Sequence, residues 1–435
     1  MAAQLILSLA ILVTFHEMGH FLAARAFGIK VEKFYLFFDA WGKKLFSFKR
    51  GDTEYGIGWL PLGGYVKIAG MIDESMDKEA MKSEPEPWEF RSKPAWQRFI
   101  VMIGGIVVNL ILGYVIFTGY ILKYEQNYLS KDVVNEDGIY AGAIAKEIGL
   151  QNGDKLISVN GNEYDRFQDY ASLEVFFGAD LVIERDGQQK TIDVPGDFFK
   201  ILKKNKSAFI EPYGSVLIDE LSDELPYAKR SGMLKGDQIA KVNGMDVLAF
   251  GHLQSMLYEQ RGKKAQIELI RNGEPVLVES QIDTLGRLGF QAEIVRYKGQ
   301  ETDYSFGDAL SYAFKDSWDV LYYNVIGFGK IFSGEIKAQE SVQSIVGIAT
   351  LYGGQWEWAR FWRLTAMISL ILAFMNALPI PALDGGHMMF LTYEIITGRP
   401  PHEKVLIIAQ YIGMILLLAL MVLTVGNDLW RIFTK

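Results

Sequence analysis

The chain has 435 residues, half of them hydrophobic, with 44 Lys+Arg against 52 Asp+Glu and a formal net charge of -8. At roughly 100–200 residues per domain this length predicts two to four domains, and the abundant aromatics and 22% charged fraction exclude a disordered chain. The acidic balance leaves no basic footprint for nucleic acid, and the absence of cysteine excludes disulfides and thiolate metal sites, so any metal must be held by Asp, Glu or one of five histidines.

The first apolar run, 1–15, leads into His16-Glu17-Met18-Gly19-His20 and on to Ala24, and reaches spanning length only by including the His and Glu. It has neither the basic start nor the cleavage site of a signal peptide, so residues 1–26 read as a first membrane helix. Ionisable groups inside a span are costly and by default functional. On a helix, His16 and His20 at i and i+4 project from one face and can share a metal, with Glu17 placed to take a proton from a metal-bound water. Zinc suits such a site because it accepts neutral imidazole nitrogen and keeps an open position.

The connection 27–96 carries Lys30, Lys33, Lys43, Lys44, Lys49 and Arg50 near the first span and Arg91 and Lys93 near the second, with Arg25 and Arg98 at the adjoining span ends. By the positive-inside rule this loop is cytoplasmic. A second span follows at 97–122, a third at 363–383 and a fourth at 403–426, each around a charge-free apolar run near the roughly 20 residues required. Residues 123–363 then lie on the extracytoplasmic face, and 384–404 return to the cytoplasm.

Inside the long segment, Gly149-Leu150-Gln151-Asn152-Gly153-Asp154 through Asn160-Gly161 is echoed by Gly232-Met233-Leu234-Lys235-Gly236-Asp237 through Asn243-Gly244, an offset of 83 residues. Each copy reads as a helix end, a Gly-Asp turn, an alternating strand and an Asn-Gly turn. These motifs resemble the PDZ fold, so 127–210 and 211–297 are expected to be a tandem pair of α+β PDZ-like domains. That resemblance implies either peptide binding by strand addition or a spacer or size filter without a ligand. Residues 300–362 read as membrane-proximal amphipathic helices, with Phe306, Leu310, Phe314 and Trp318 at helical spacing. The stretch from Ser333-Gly334-Glu335 to Ser341-Val342 belongs to it.

A third metal ligand should be another ionisable group within the membrane. Asn376-Ala377-Leu378-Pro379-Ile380-Pro381-Ala382-Leu383-Asp384-Gly385-Gly386-His387 offers Asp384, where two prolines break the helix and two glycines permit close backbone approach. A helix cap at the interface is the plainer but lesser reading of Asp384, and His387 competes for the ligand role.

HExxH in the first span, a tandem PDZ-like insert and N-x-x-P-x-P-x-L-D-G-G in the third together resemble the site-2 protease family of intramembrane zinc metalloproteases. The resemblance covers nearly the whole chain. It implies a polytopic α-helical protein with four transmembrane helices, a membrane-associated β region and the PDZ-like pair, in a bacterial inner membrane with the pair periplasmic and the active site toward the cytoplasm. His16, His20 and Asp384 would ligate zinc, and Glu17 would be the general base. Gly63 and Gly64 resemble the family's membrane-associated β-hairpin region, and Gly104 to Asn109 resembles its second-span G-P-x-x-N element, with Gly105 where proline is usual. Expected substrates are single-span membrane proteins already trimmed by another protease, such as anti-sigma factors, and remnant signal peptides.

A helical substrate hides its peptide groups in its own hydrogen bonds, so it must be unwound before attack. Strand addition in the 52–70 region would satisfy the freed groups, with Asn376, the Pro379 and Pro381 break, and Asn109 as further substrate contacts. Helix–helix bonding is the plainer role for both asparagines. The rival readings are a catalytically silent membrane-anchored PDZ scaffold or chaperone, which leaves the intact HExxH and Asp384 without purpose, and a zinc transporter, which gives Glu17 no task.

Overall fold

The opening run, rich in Leu and Ala, has no proline, and it folds as one helix, α1 (Ala2–Ala26), that carries the HExxH sequence without interruption. The computed structural model describes residues 1–61, 63–71, 84–198, 201–202, 208–295, 301–335 and 345–433. They divide into two units, Met1–Tyr124 with Phe306–Lys435, and Glu125–Ser305.

In the first unit α1 leads to four strands, β1 (Val31–Leu36), β2 (Lys44–Arg50), β3 (Thr53–Gly58) and β4 (Tyr65–Ile68), hydrogen-bonded in the order β2-β3-β1-β4. β1 runs parallel to β3 and antiparallel to β4, with Phe34 opposite Val66 and Tyr35 opposite Tyr65. β4 is therefore an edge strand, with one side of its backbone unpaired among the described strands. Helix α2 (Ala95–Tyr120) crosses α1 at a point where both chains carry glycine: a Cβ on Gly19 would lie 2.3 Å from the Gly104 carbonyl oxygen. Only a glycine pair lets the two backbones touch.

Helix α3 (Phe306–Phe332) is amphipathic as expected, burying Ala309, Ala313, Ser317 and Val320 while exposing Phe306, Phe314 and Trp318. Ser341 and Val342 lie outside the described residues. The expected third span, 363–383 followed by a cytoplasmic connection from 384, is corrected: helix α4 (Trp358–Ala377) stops before Pro379, and Asp384 opens a separate helix, α5 (Asp384–Thr397). Proline lacks the N–H and its ring clashes with the preceding turn, so the chain leaves the helix for six residues and re-enters it. Gly386 makes the re-entry possible, because a Cβ there would meet the Ile380 carbonyl oxygen at 2.6 Å. Helix α6 (Glu403–Phe433) closes the unit. Among the described residues three helices are long and apolar enough to cross a membrane: α1, α2 with its continuation to Glu125, and α4. Buried hydroxyls join them, Thr365 Oγ1 donating to Ser8 Oγ at 3.0 Å and Ser369 Oγ to the Asn109 carbonyl at 2.8 Å.

The second unit has two hydrophobic cores. Ile139, Leu156, Leu181, Ile183 and Phe198 belong to one and Ile218, Ile239, Leu253, Ile267 and Leu269 to the other. Around the first, strands Lys155–Val159, Ala179–Arg185 and Gln188–Val194 form an antiparallel sheet, and Ile139–Ala141 pairs with Ile210–Pro212. Around the second, Glu274–Gln281, Lys264–Arg271, Gln238–Val242, Val216–Leu221 and Phe290–Ile294 lie side by side in that order.

The internal repeat extends to its polar contacts. Arg185 grips buried Asp154 through Nε and Nη2, both at 2.6 Å, and also donates to the Gly149 carbonyl. Arg271 does the same to Asp237, at 2.8 and 2.7 Å, and to Gly232. Asn160 and Asn243, both at φ 50°, each accept from a backbone N–H of the neighbouring strand. The motif Asp thus ties its own turn to the next hairpin in both halves.

Hydrogen bonding from Arg271 holds the Asp237 carboxyl below its usual range, against the opposing effect of burial. Because the folded value is the depressed one, the stabilisation is complete above the unfolded pKa of about 3.9 and is lost as the pH falls through it toward the folded value. Asp237→Asn should lower stability at pH 7 and flatten this acid limb. Urea-dependent proteolysis of the 211–297 segment in the full chain, from pH 7 to pH 3, measures it.

Candidate metal centre

Helix α1 raises His16 and His20 on one face, with their rings edge to face at a centroid separation of 4.8 Å. The break between α4 and α5 delivers Asp384 to the same point. Asp384 Oδ2 lies 3.2 Å from His16 Nε2 and 3.4 Å from His20 Nε2, and the two Nε2 atoms are 3.2 Å apart. A ligand atom from each residue lies within 4.8 Å of the others. All three side chains are at least 85% buried, yet Asp384 Oδ2 has no hydrogen-bond partner among the described residues. A buried carboxylate oxygen without a donor, facing two imidazole nitrogens, is the donor set of a divalent cation such as zinc, and the residues fit one.

The surroundings set the rings. His20 Nδ1 donates to the Val101 carbonyl at 2.8 Å, which fixes its proton there and turns Nε2 inward. Gly105 lies against both rings: a Cβ would come within 2.5 Å of His20 Nε2 and 2.6 Å of His16 Cε1. Counted back from Asn109, the five-residue second-span element begins at Gly105, so Ile106 and not Gly105 occupies the proline position. The glycine is required by the packing of the two histidines.

A cavity of about 730 Å³ opens onto the cluster. Glu17, Asn376 and Asp384 line it, as do Gly63, Gly64 and β4 from Tyr65 to Ile68. Gly64 is confined between the Tyr35 carbonyl and Val13, where a Cβ would be 2.6 Å and 2.8 Å from them, so β4 can reach the cavity only with glycine at this position. Asn376 Nδ2 stands 3.4 Å from His16 Nε2. His387 lines the same cavity but stands outside the three-residue cluster.

Three expected substrate contacts are placed elsewhere. Pro379 and Pro381 shape the break and do not line the cavity. Asn109 has no exposed surface, and its side-chain amide stands 3.3 Å from His16 Nδ1, on the far side of the ring from Asp384. Sequence reading missed a polar group at the cavity wall: Lys33 Nζ bonds Asp39 Oδ2 at 3.0 Å, and the Tyr65 hydroxyl donates to Asp39 Oδ1 at 2.8 Å. A lone Lys, Asp and Tyr scattered over 33 residues give no sequence signal. Val101 was equally invisible, because its contribution is a backbone carbonyl.

The model of peptidase family M50 matches residues 4–420. The regulator of sigma-E protease RseP of Escherichia coli is 30% identical over 99% of this chain and 98% of its own, and protease RseP of Yersinia pestis is 30% identical over the same shares. A Neisseria meningitidis protein whose name includes the words zinc metalloprotease is 28% identical over 98% of both chains. The chain belongs to peptidase family M50 and is a multi-pass membrane metalloprotease.

Proposed function

We propose that the chain is a zinc-dependent site-2 protease of the bacterial inner membrane, cutting single-span membrane proteins near the cytoplasmic face after another protease has shortened them. The observation that carries this reading is the convergence of His16, His20 and Asp384 on one point beside Glu17, at the wall of a cavity shared with an edge strand. α6 serves as the fourth span, which leaves 27–96 and the active site cytoplasmic by the distribution of Lys and Arg and the second unit periplasmic. Its two halves act as PDZ-like domains that discriminate trimmed from intact substrates. Anti-sigma factors are the favoured substrate class, in keeping with relatives named for regulation of sigma-E.

Zinc held by His16, His20 and Asp384 would supply a Lewis acid and would lower the pKa of water at the site to about 7. The chain's own residues do the rest. Glu17, one residue after a ligand and facing the cavity, takes a proton from the attacking water and returns it to the leaving amine. An unwound substrate segment pairs with the open edge of β4, which satisfies its exposed N–H and C=O groups without water. Asn376 donates a hydrogen bond to the substrate backbone at the scissile end of that strand.

Glu17→Gln should lower the cleavage of a short-ectodomain, single-span substrate by at least about 10²-fold while zinc content stays at one equivalent, measured on the purified protein. Cleavage at the wild-type rate would refute the general-base role. Asn376→Ala should also keep its zinc and lose about 10²-fold in rate. A loss of zinc instead would assign Asn376 to the metal shell.

A further inference from the structure

The geometry points to Asn109 as a positioning residue that fixes the tautomer of His16 by accepting a hydrogen bond from Nδ1–H through its Oδ1. This inference rests on the zinc reading above. In a neutral imidazole one nitrogen carries the proton and the other is free to ligate. His16 Nε2 is the nitrogen that converges with Asp384 and His20, so Nδ1 must carry the proton. Among the described residues the side chain placed at Nδ1 is that of Asn109, whose amide end marked as Nδ2 stands 3.3 Å away.

The two ends of a carboxamide have nearly the same shape, and their assignment follows from the partners. The opposite end does not hold it: Asn109 is fully buried, and the end marked as Oδ1 has no hydrogen-bond partner among the described residues, so exchanging the two ends brings the oxygen to Nδ1 and breaks no bond. With a proton on Nδ1, the amide must present oxygen. Ser369 Oγ donates to the Asn109 backbone carbonyl at 2.8 Å and so joins this turn of α2 to α4.

α2 then carries one device for both ligands. Val101, Gly105 and Asn109 are spaced at i, i+4 and i+8, on one face of the helix. Val101 offers a backbone oxygen to His20, Gly105 leaves room for both rings, and Asn109 offers a side-chain oxygen to His16. Partners of this kind orient the ring and raise ligand basicity, and their loss typically weakens metal binding by about 10–100-fold.

The test is zinc affinity of the purified full-length chain, by competition with a chelating indicator, with thermal unfolding of the metal-free proteins recorded beside it. Asn109→Leu, which keeps the volume and removes the acceptor, should bind zinc about 10–100-fold more weakly than wild type. Asn109→Asp, which can only accept when ionised, should bind within about threefold of wild type or more tightly. Wild-type affinity in Asn109→Leu would overturn the inference. So would a tenfold or greater loss in Asn109→Asp, which decides the matter even where the leucine variant does not fold, because a donating or merely structural amide would not survive the change. Absence of zinc binding by the wild-type chain would instead overturn the metal reading and this inference with it.

Discussion

The approach of two helix backbones at Gly19 and Gly104 is the constraint on which the site depends. Apolar helices in a bilayer gain nothing from hiding hydrophobic surface from one another, so their association rests on close packing and on the few polar contacts between them. Here the close approach falls within the HExxH sequence itself. It brings the carbonyl of Val101 to His20 and the amide of Asn109 to His16, and Gly105 keeps the space between them free for the two rings. With one bulky residue at any of these glycines the helices would separate, and the imidazoles would lose the partners that hold them.

The same requirement governs Asp384, the third candidate ligand. A continuous α4 would carry Asp384 past the site on a regular helix, whereas ending the helix at Ala377 and restarting it at Asp384 turns the carboxylate back toward α1. Proline supplies the break and glycine the compactness of the turn. α6 supports it from the other side: a Cβ on Gly413 would meet the Pro381 carbonyl oxygen at 1.8 Å. Irregular backbone at membrane depth is tolerated where it lines a cavity, as Ala382 and Leu383 do at the end of this turn.

The edge strand β4 follows from chemistry at the substrate end. A peptide bond in a helix is already hydrogen-bonded, and a protease inside a membrane has to offer the unwound chain a replacement for its ladder. In the proposed reaction β4 offers one side of its backbone at the wall of the cavity beside the candidate ligands, and Gly64 sets how close it comes. The Lys33, Asp39 and Tyr65 cluster keeps a cation and an anion paired at that wall, so the approach carries no isolated charge.

The sequence by itself determined the candidate ligands His16 and His20, the neighbouring Glu17, the apolar runs and the internal repeat, because each is a local pattern: i and i+4 spacing, hydrophobic length, or a turn motif recurring at a fixed offset. The repeat was legible down to its aspartates and asparagines, each aspartate accepting from a backbone N–H of its own turn and each asparagine from one of the neighbouring strand. Asp384 over His387 rested on family resemblance, since spacing along the chain does not say which of two neighbouring groups faces another helix. Tertiary structure alone decided that the third run breaks into two helices, that Asn109 stands behind His16 and away from the cavity, and that a carbonyl of Val101 holds His20. Those facts depend on which faces of separate helices meet, and a backbone carbonyl or a buried amide carries no mark of its partner in the sequence.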